Sequence, residues 1–380
     1  MSNKPQILIV VGTRPEVIKV APVLKELKKY PEEFTYKVCV TGQHRQMVDP
    51  LLELFEITPD YDLGIMQENQ NLDHITATVL REVGKIIDRE RVDYLIVQGD
   101  TTTAMAASLA AFYRRVKVAH VEAGLRTWDK QHPYPEEVNR RIIDSVSDIY
   151  FAHTEAARRN LLNEGVDPKQ IEVTGNTVID ALLDTAGKEW DMAGSGCERV
   201  SSNGRKVILV TAHRRENFGR PIERICRAIK EVASQFGKEV LFVYPVHLNP
   251  NIRKPVHEIL SGLANVLLTE PLEYPALVHV MKAAYFVLTD SGGLQEEAPS
   301  LGKPVLVLRQ TTERPEGVEA GCVEVVGTHT ATIVEKVTEL LEDRKKYVRM
   351  SRAVNPYGDG TASERIVKRL LKESHTVPVK

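Results

Sequence analysis

The sequence predicts an α/β protein made of two Rossmann-like, doubly wound domains that face a central cleft. Three observations support this prediction: the length, the alternation of short apolar strands with amphipathic helices, and the restart of that alternation in the second half. At 380 residues the chain is longer than one hydrophobic core usually supports. Nearly continuous apolar strands separated by helices are typical of parallel sheets that helices cover on both faces.

The first half of the chain begins with an apolar run at 6–11, a turn, and a helix at 17–29 whose apolar residues recur every three or four positions. The alternation then continues to residue 121. The further predicted strands are 36–41, 94–97 and 116–121, and the further predicted helices are 46–55, 72–89 and 102–113. This order favours a single parallel sheet in the first domain.

The second half restarts the pattern after a stretch rich in Gly, Ser and charge at 186–204, which predicts an exposed connection. Its predicted strands are 207–210, 240–243, 266–268, 285–288 and 304–308, and a last helix at 362–372 is expected to pack on the body of the protein. We assign 1–172 with the C-terminal helix 361–380 to the first domain, and 173–360 to the second.

Composition excludes several classes of function. The formal net charge is -2 and no long basic run occurs, which argues against a nucleic-acid surface. The four cysteines lie far apart without CxxC spacing, which favours buried reduced thiols over disulfides or a zinc site. No window approaches about 18 uninterrupted apolar residues, and the first residues do not combine a cationic segment with a long apolar one. We expect a cytoplasmic protein with no membrane segment.

The most informative segment is a strand–turn–helix at 285–299. The apolar strand ends at Asp290, two glycines follow Ser291, and a helix begins near Leu294. Such a turn aims free N–H groups and the positive end of a helix dipole at one point, which suits a diphosphate. The alternative is an ordinary βα turn. Glu297, one helical turn on, and Arg314 in a later loop favour a nucleotide-diphosphate site.

Polar residues follow the predicted strands of the first half, where open α/β sheets bind ligands. Arg14 and Lys19 follow the first strand. Asp100 follows 94–97, although Asp100 or Thr101 could simply cap the next helix. Glu122 ends an apolar strand, where a carboxylate has no capping role, and this favours function.

Three further residues are weaker candidates when taken singly. Glu136 begins a helix after the loop 128–135, and acidic residues are common in a first turn. His213 follows a strand and precedes two arginines, and His247 follows another strand. Together with the other carboxylates and cations they suit acid–base chemistry on a nucleotide sugar. HExxH, clustered Cys/His and the dinucleotide fingerprint are all missing, so we expect neither a metal nor a nicotinamide cofactor.

Segments in order along the chain carry a family resemblance. They are Gly-Thr-Arg-Pro-Glu at 12–16, Gly-Asp-Thr-Thr-Thr at 99–103, His-Val-Glu-Ala-Gly-Leu-Arg-Thr at 120–127, Pro-Glu-Glu at 135–137, Thr-Gly-Asn-Thr at 174–177, Ala-His-Arg-Arg-Glu-Asn at 212–217, Pro-Val-His-Leu-Asn-Pro at 245–250, Asp-Ser-Gly-Gly at 290–293 and Thr-Glu-Arg-Pro-Glu at 312–316. The chain thereby resembles the non-hydrolysing UDP-N-acetylglucosamine 2-epimerases over nearly its whole length.

The resemblance implies a glycosyltransferase-B-like fold, a homodimer, and interconversion of UDP-GlcNAc and UDP-ManNAc in the cytoplasm to supply ManNAc for cell-surface polysaccharide. It implies three sets of site residues. The catalytic set is Asp100, Glu122, Glu136 and His213. The UDP-binding set is Arg14, Lys19, Ser291, Gly292, Gly293, Glu297 and Arg314. Members regulated by their own substrate hold a second UDP-GlcNAc, at positions that here include Gln43, Gln46, Gln70, Arg215 and His247.

The expected mechanism is elimination of UDP to 2-acetamidoglucal followed by re-addition, because the C2 proton is not alpha to a carbonyl and no nicotinamide is expected for oxidation at C3. Three alternatives stay open: a hydrolysing epimerase that releases ManNAc and UDP, a glycosyltransferase of the same fold, and a catalytically silent UDP-sugar sensor. The turn at 12–16 favours the non-hydrolysing branch, and titratable residues at every proposed acid–base position weigh against the sensor.

Overall fold

The protein divides into two compact units in a computed structural model that describes residues 4–42, 45–67, 71–201 and 204–376. The first unit comprises Met1–Ala181 and Gly358–Lys380, and the second comprises Leu182–Tyr357. The chain therefore changes unit at 181/182 and 357/358, whereas the sequence analysis drew the boundaries at 172/173 and 360/361.

The first unit is a seven-stranded parallel sheet with helices between its strands. Its strands are β1 (Gln6–Val11), β2 (Thr35–Val40), β3 (Tyr61–Asp62), β4 (Tyr94–Gln98), β5 (Lys117–Ala123), β6 (Ile149–Ala152) and β7 (Ile171–Val173). Its helices are α1 (Arg14–Leu27), α2 (Arg45–Leu54), α3 (Leu72–Glu90), α4 (Thr102–Phe112), α5 (Glu136–Val146) and α6 (Glu155–Asn163), and α7 (Thr177–Gly187) leads into the second unit. The strands lie in the order β3-β2-β1-β4-β5-β6-β7.

The second unit is a six-stranded parallel sheet of the same type. Its strands are β8 (Lys206–Thr211), β9 (Val240–Pro245), β10 (Val266–Thr269), β11 (Phe286–Thr289), β12 (Val305–Val307) and β13 (Val323–Val325). Its helices are α8 (Arg220–Phe236), α9 (Pro250–Leu260), α10 (Tyr274–Ala283), α11 (Gly292–Ser300), α12 (Pro315–Glu319), α13 (Thr330–Glu342) and α14 (Arg344–Ser351). The order is β10-β9-β8-β11-β12-β13, so the predicted α/β class with two doubly wound sheets is confirmed.

The C-terminal helix α15 (Ala362–Thr376) belongs to the first unit. Asp180, on the part of α7 that lies in this unit, accepts hydrogen bonds from the N–H groups of Ala362 at 3.2 Å and Ser363 at 2.8 Å. It also accepts the Ser363 hydroxyl at 2.6 Å. These bonds satisfy donors that the start of a helix leaves unpaired, so they fasten α15 to the unit.

The hydrophobic pattern explains how each sheet is covered. The central strands β1, β4, β8 and β11 are buried along nearly their whole length, which is why they appear in the sequence as continuous apolar runs. The Ala-rich helix α4 is apolar all round and is correspondingly buried against α3 and α5. In the described part of the chain, no helix is both long and apolar enough to cross a lipid bilayer.

In each sheet, successive strands are added first toward one edge and then toward the other. This reversal lies between β1 and β4 in the first unit and between β8 and β11 in the second. Doubly wound sheets bind ligands beyond the carboxyl ends of the strands at this reversal. The residues that follow these four strands include Arg14, Asp100, His213 and Ser291. Both units therefore present predicted site residues where the topology favours a ligand.

Candidate active site

The turn between β1 and α1 is held by a buried capping box. Glu16 accepts the N–H groups of Gly12 at 3.0 Å and Thr13 at 2.7 Å, and its other oxygen accepts the Thr101 hydroxyl at 2.8 Å. Burial raises the pKa of Glu16, and these hydrogen bonds oppose the increase. The network ties the first turn to the one after β4, and it leaves Arg14 partly exposed at the first position of α1.

The backbone at Glu122 departs from regular strand geometry. Its φ is +71°, in the left-handed region that residues with a side chain rarely occupy. The register between β5 and β6 shifts between Val121 and Ala123, which identifies a β-bulge at Glu122. Bulges next to ligand sites redirect a side chain, and backbone strain of this kind concentrates at functional sites.

The Glu122 carboxylate lies among polar groups from three other elements. Lys19 Nζ lies 2.8 Å from Oε1 and 2.6 Å from Oε2. The Gln98 side-chain amide donates to Oε2, and Asn176 Nδ2 donates to Oε1 at 3.3 Å. The Glu122 side chain is 7% exposed. These contacts provide donors to both oxygens of a buried carboxylate. They also show that Lys19, predicted to bind UDP, is engaged with Glu122.

Asp100 is held from the neighbouring helix α5. Arg140 donates to Asp100 Oδ2 through Nε at 3.1 Å and Nη2 at 2.5 Å, and Asn139 Nδ2 donates to the Asp100 carbonyl at 2.9 Å. The side chain keeps 26% of its surface exposed. Thr101 is the residue that caps α4, through a bond from the Ala104 N–H at 3.0 Å. The capping role considered for Asp100 therefore falls to its neighbour.

The two glutamates at the start of α5 differ in their surroundings. Glu137 is fully buried and accepts the N–H groups of Thr127 at 3.0 Å and Trp128 at 3.1 Å, together with Arg140 Nη1 at 3.1 Å. Glu136 has one buried carboxylate oxygen, Oε2, without a hydrogen-bond partner in the described part of the chain. An unpaired buried acceptor is costly unless a ligand or a proton satisfies it, so Glu136 is the better candidate for chemistry.

In the second unit, Asp290 organises the turn after β8. Its Oδ2 accepts the N–H groups of His213 and Arg214 and the side chain of Asn217, each at 2.8 Å. Its Oδ1 lies 3.6 Å from His213 Nδ1. Asp290 is completely buried at the end of β11, beside β8 in the sheet. A buried carboxylate with three donors can hold a turn rigidly.

The imidazole of His213 packs against that of His247. The ring centroids are 5.5 Å apart and the planes are 12° from parallel. Burial lowers the pKa of His213; the charge of Asp290 opposes this effect, and Arg214 and His247 add to it. His213 therefore favours the neutral form, which can donate one hydrogen bond and accept another.

The start of α11 is flanked by two guanidinium groups. A Cβ atom placed on Gly292 would lie 3.8 Å from Arg214 Nη2 and 3.9 Å from Arg314 Nη2. Ser291 occupies the N-cap position, and its side chain makes no capping hydrogen bond. A helix N-terminus with two arginines beside it is suited to a diphosphate, because the N–H groups, the dipole and the charges all favour an anion.

Two buried glutamates on α11 lie close to this helix start. Glu296 pairs with Arg314 through Oε1 and Nε, which orients the guanidinium. Glu297 is 7% exposed, and its Oε2 would lie 3.5 Å from a Cβ on Gly293. The carboxylate of Glu297 thus lies next to the Ser-Gly-Gly turn, where a sugar diol could donate hydrogen bonds to it.

Each unit gathers its own part of the predicted set. In the first unit the described contacts join Lys19 to Glu122, and they join the turn before Arg14 to the turn that carries Asp100. The second unit gathers His213, the Ser291–Gly293 turn, Glu297 and Arg314 around β8 and β11.

Asp290, Arg214 and Glu296 were not among the site residues predicted from the sequence. Asp290 is a carboxylate at the end of an apolar strand, as Glu122 is, and this position would have identified it.

The predicted second nucleotide site is only partly within the described residues. Gln43 and Gln70 lie outside them, and Gln46 lies in α2 without a described side chain. Arg215 is exposed, and His247 stacks on His213 as above. Among the described residues, no group of three or more His, Cys, Asp or Glu side chains is arranged to hold a metal ion.

The chain is similar to known proteins over nearly its whole length. A family model described as UDP-N-acetylglucosamine 2-epimerase matches residues 25–371. The chain is 52% identical over 370 residues to the UDP-N-acetylglucosamine 2-epimerase of Escherichia coli K12, covering 96% of this chain and 98% of that protein. It is 48% identical over 375 residues to the Campylobacter jejuni protein of the same name, covering 97% of each.

A solved crystal structure resembles this chain over nearly its whole length. The Neisseria meningitidis UDP-GlcNAc 2-epimerase, solved with UDP-GlcNAc bound, is 49% identical and superposes with a TM-score of 0.87, covering 97% of this chain and 100% of that one. This likeness confirms the predicted glycosyltransferase-B-like fold class.

Proposed function

The chain belongs to the UDP-N-acetylglucosamine 2-epimerase family, and we propose that it is an isomerase that interconverts UDP-N-acetylglucosamine and UDP-N-acetylmannosamine without hydrolysis. The observation that supports this most is the division of chemistry between the two sheet reversals. One carries carboxylates suited to proton transfer, and the other carries a cationic helix start suited to a diphosphate. An epimerase that releases and recaptures UDP needs both.

We assign the diphosphate to the second unit. The N–H groups at the start of α11 and the guanidinium of Arg314 bind its oxygens, with Arg214 added to the predicted set because it flanks Gly292 as Arg314 does. Glu297 binds the nucleoside or sugar hydroxyls. The neutral imidazole of His213 donates a hydrogen bond to the phosphate oxygen that leaves the sugar.

We assign the proton transfers to the first unit. A base removes the proton from C2, the electrons of that C–H bond form the C1–C2 double bond, and the C1–O bond breaks with its electrons leaving on UDP. The intermediate is 2-acetamidoglucal. In the return step a UDP oxygen attacks C1, and an acid delivers a proton to C2 on the opposite face. Epimerisation therefore needs acid–base groups on both faces of the ring.

Asp100, Glu122 and Glu136 are the proposed acid–base groups. Their environments differ: Asp100 is partly exposed and paired with Arg140, Glu122 is buried beside Lys19, and one buried oxygen of Glu136 has no partner among the described residues. Carboxylates with different partners can take different roles, as an acid and a base acting together must. Lys19 stabilises the charged form of Glu122 in this proposal. Its predicted contact with UDP stays a prediction, as do those of Arg14 and Ser291.

The remaining expectations concern the setting of the enzyme. The homodimer, the cytoplasmic location and the supply of ManNAc for cell-surface polysaccharide stay predictions. So does the second UDP-GlcNAc site at Gln43, Gln46, Gln70, Arg215 and His247. A sigmoidal dependence of rate on UDP-GlcNAc concentration supports that site, and a hyperbolic dependence up to saturation counts against it.

The activity is tested by incubating the protein with UDP-GlcNAc alone and following the mixture by proton and phosphorus NMR. We expect a mixture of UDP-GlcNAc and UDP-ManNAc with the diphosphate still attached to the sugar. Accumulation of free ManNAc and UDP identifies a hydrolysing epimerase instead. An unchanged substrate contradicts the proposal and leaves the glycosyltransferase and the sensor, which a sugar acceptor distinguishes.

A further inference from the structure

A buried polar cluster lies directly behind the carboxylates of the first unit, and the proposed reaction does not use it. It consists of His120 on β5, Asp144 on α5, and Arg126 in the loop after β5, which are 0%, 3% and 9% exposed. Burying charged groups costs free energy unless each is paired. The hydrogen bonds of the cluster therefore indicate whether it stabilises the fold or holds the site residues in place.

His120 joins this cluster to the turn that carries Asp100. Its Nε2 lies 2.7 Å from the carbonyl oxygen of Gly99, and its Nδ1 lies 2.6 Å from Asp144 Oδ1. A carbonyl oxygen can only accept, so Nε2 donates to it. Gly99 has a φ of +71° and immediately precedes Asp100, so this bond acts on the peptide unit from which Asp100 projects.

Asp144 joins the cluster to the turn that follows Glu122. Its Oδ2 accepts the Gly124 N–H at 3.2 Å and Arg126 Nη2 at 2.6 Å. Burial would raise the pKa of Asp144, but the charges and hydrogen bonds of His120 and Arg126 lower it overall. The carboxylate is therefore ionised, and His120 Nδ1 donates to it; because both partners can only accept, both ring nitrogens of His120 carry protons. One network thus fixes the turns after β4 and β5, where Asp100 and Glu122 lie.

We propose that His120 is a positioning residue for the epimerisation, and that it acts through its hydrogen bond to the Gly99 carbonyl, which fixes the direction of Asp100. This inference rests on the proposed function. The competing explanation is that the cluster only stabilises the fold, as a satisfied buried ion pair does. The two explanations differ in what they predict for kcat in a folded variant.

Two substitutions separate the bonds that His120 makes. In His120→Gln the amide nitrogen is as many bonds from the backbone as Nε2, so the donor to the Gly99 carbonyl is kept and the bond to Asp144 is lost. In His120→Asn the amide nitrogen corresponds to Nδ1, so the bond to Asp144 is kept and the donor to Gly99 is lost. Each variant therefore removes one bond, and they form a matched pair.

For His120→Asn we expect kcat to fall by about 10- to 100-fold with KM within about twofold, because small misplacements of a catalytic group cost this much. For His120→Gln we expect kcat within about threefold of the parent, because the bond to Gly99 remains. Thermal unfolding of both variants measures any loss of stability separately.

A double-mutant cycle with Asp100→Asn tests whether His120 acts through Asp100. In that background His120→Asn should lower kcat by less than about twofold, because the group that it positions is already disabled. Equal losses of kcat in His120→Asn and His120→Gln would overturn the inference. So would a loss from His120→Asn that is as large in the Asp100→Asn background as in the parent. If His120→Asn does not fold, a folded His120→Gln with kcat reduced more than tenfold still overturns it. A parent protein without epimerase activity contradicts the proposed function instead.

Discussion

At the scale of single residues, Glu122 adopts a backbone conformation that costs about 1–3 kcal/mol for a residue with a side chain. The surrounding groups offset that cost: Lys19 bonds both carboxylate oxygens, and Gln98 and Asn176 each donate to one. A carboxylate needed only for packing could occupy a regular strand position at lower cost. The strain and the converging donors together support a functional role for Glu122.

Asp100→Asn tests the acid–base assignment with little disturbance of the fold. Both bonds from Arg140 to Asp100 end on Oδ2, and the amide oxygen of asparagine can accept the same bonds. We expect kcat to fall on the order of 10²- to 10⁴-fold, the usual contribution of a positioned acid or base. Steady-state kinetics with UDP-GlcNAc measure this.

Asp88→Asn is the matched control for that variant. Asp88 also accepts from an arginine, Arg114 Nε at 2.9 Å, but it is largely exposed on α3. Its replacement should leave kcat unchanged. An Asp100→Asn enzyme that keeps a near-normal kcat removes Asp100 from the mechanism.

The titration of His213 is a second prediction at this scale. Burial lowers its pKa from the ordinary value of 6.5, although the charge of Asp290 opposes the decrease. The imidazole should therefore stay neutral at pH 6.5 and gain its proton only at lower pH. NMR titration of the ring signal, assigned with His213→Asn, measures the midpoint. A midpoint at or above 6.5 contradicts the account of its environment.

The candidate residues could be predicted from sequence more readily than their partners. The positions of Glu122 and Asp100 at the ends of apolar strands made them candidates, and the family resemblance implied their catalytic roles. The pairing of Lys19 with Glu122 joins residues 103 positions apart, and the three donors to Asp290 come from a turn more than 70 positions earlier. Such contacts depend on which strands are neighbours, and periodicity does not specify strand order.

At the scale of elements, nine of the thirteen strands in the described part of the chain were predicted, and β3, β6, β7 and β13 were missed. β1 was predicted with its observed bounds, and α1 begins three residues before the predicted start because Thr13 caps it and Arg14 is already helical. The four missed strands have only two to four residues, which leaves little length for a pattern, although the equally short β10, β11 and β12 were predicted. They lie at or near the edges of the sheets, where pairing with a neighbour defines the strand.

Gly12→Ala tests the packing of the turn between β1 and α1. A Cβ at Gly12 would lie 2.6 Å from the hydroxyl oxygens of both Thr41 and Thr103, which are completely buried. We expect a loss of about 1–3 kcal/mol in the free energy of unfolding, the usual cost of overpacking. Urea denaturation followed by circular dichroism measures it.

Gly187→Ala is the control for Gly12→Ala. It also adds a Cβ to a glycine, at the end of α7, but among the described residues no heavy atom outside its chain neighbours and its own helix backbone lies within 4 Å of the added atom. It should leave the stability unchanged or raise it slightly, since alanine favours helix. Equal stability of the two variants would show that the turn tolerates a side chain at Gly12.

At the scale of the whole molecule, two sheets whose first six strands follow the same order carry different predicted site residues. Asp100, Glu122 and Glu136 lie in the first unit, and His213, Arg314 and the start of α11 lie in the second. The parallel α/β class and the doubling of the fold were predictable, because both follow from alternation and length. The place where the strand order of each sheet reverses, next to the candidate residues, was not predictable, because periodicity does not specify strand order.

Transfer of the C2 proton is the central claim, and turnover in D2O tests it most directly. UDP-GlcNAc is incubated with the protein in D2O until the NMR spectrum stops changing, and the C2 position of both nucleotide sugars is then examined. The account predicts deuterium at C2 of UDP-ManNAc and of the recovered UDP-GlcNAc, because the removed proton exchanges with solvent before re-addition. UDP-ManNAc that retains hydrogen at C2 would contradict it.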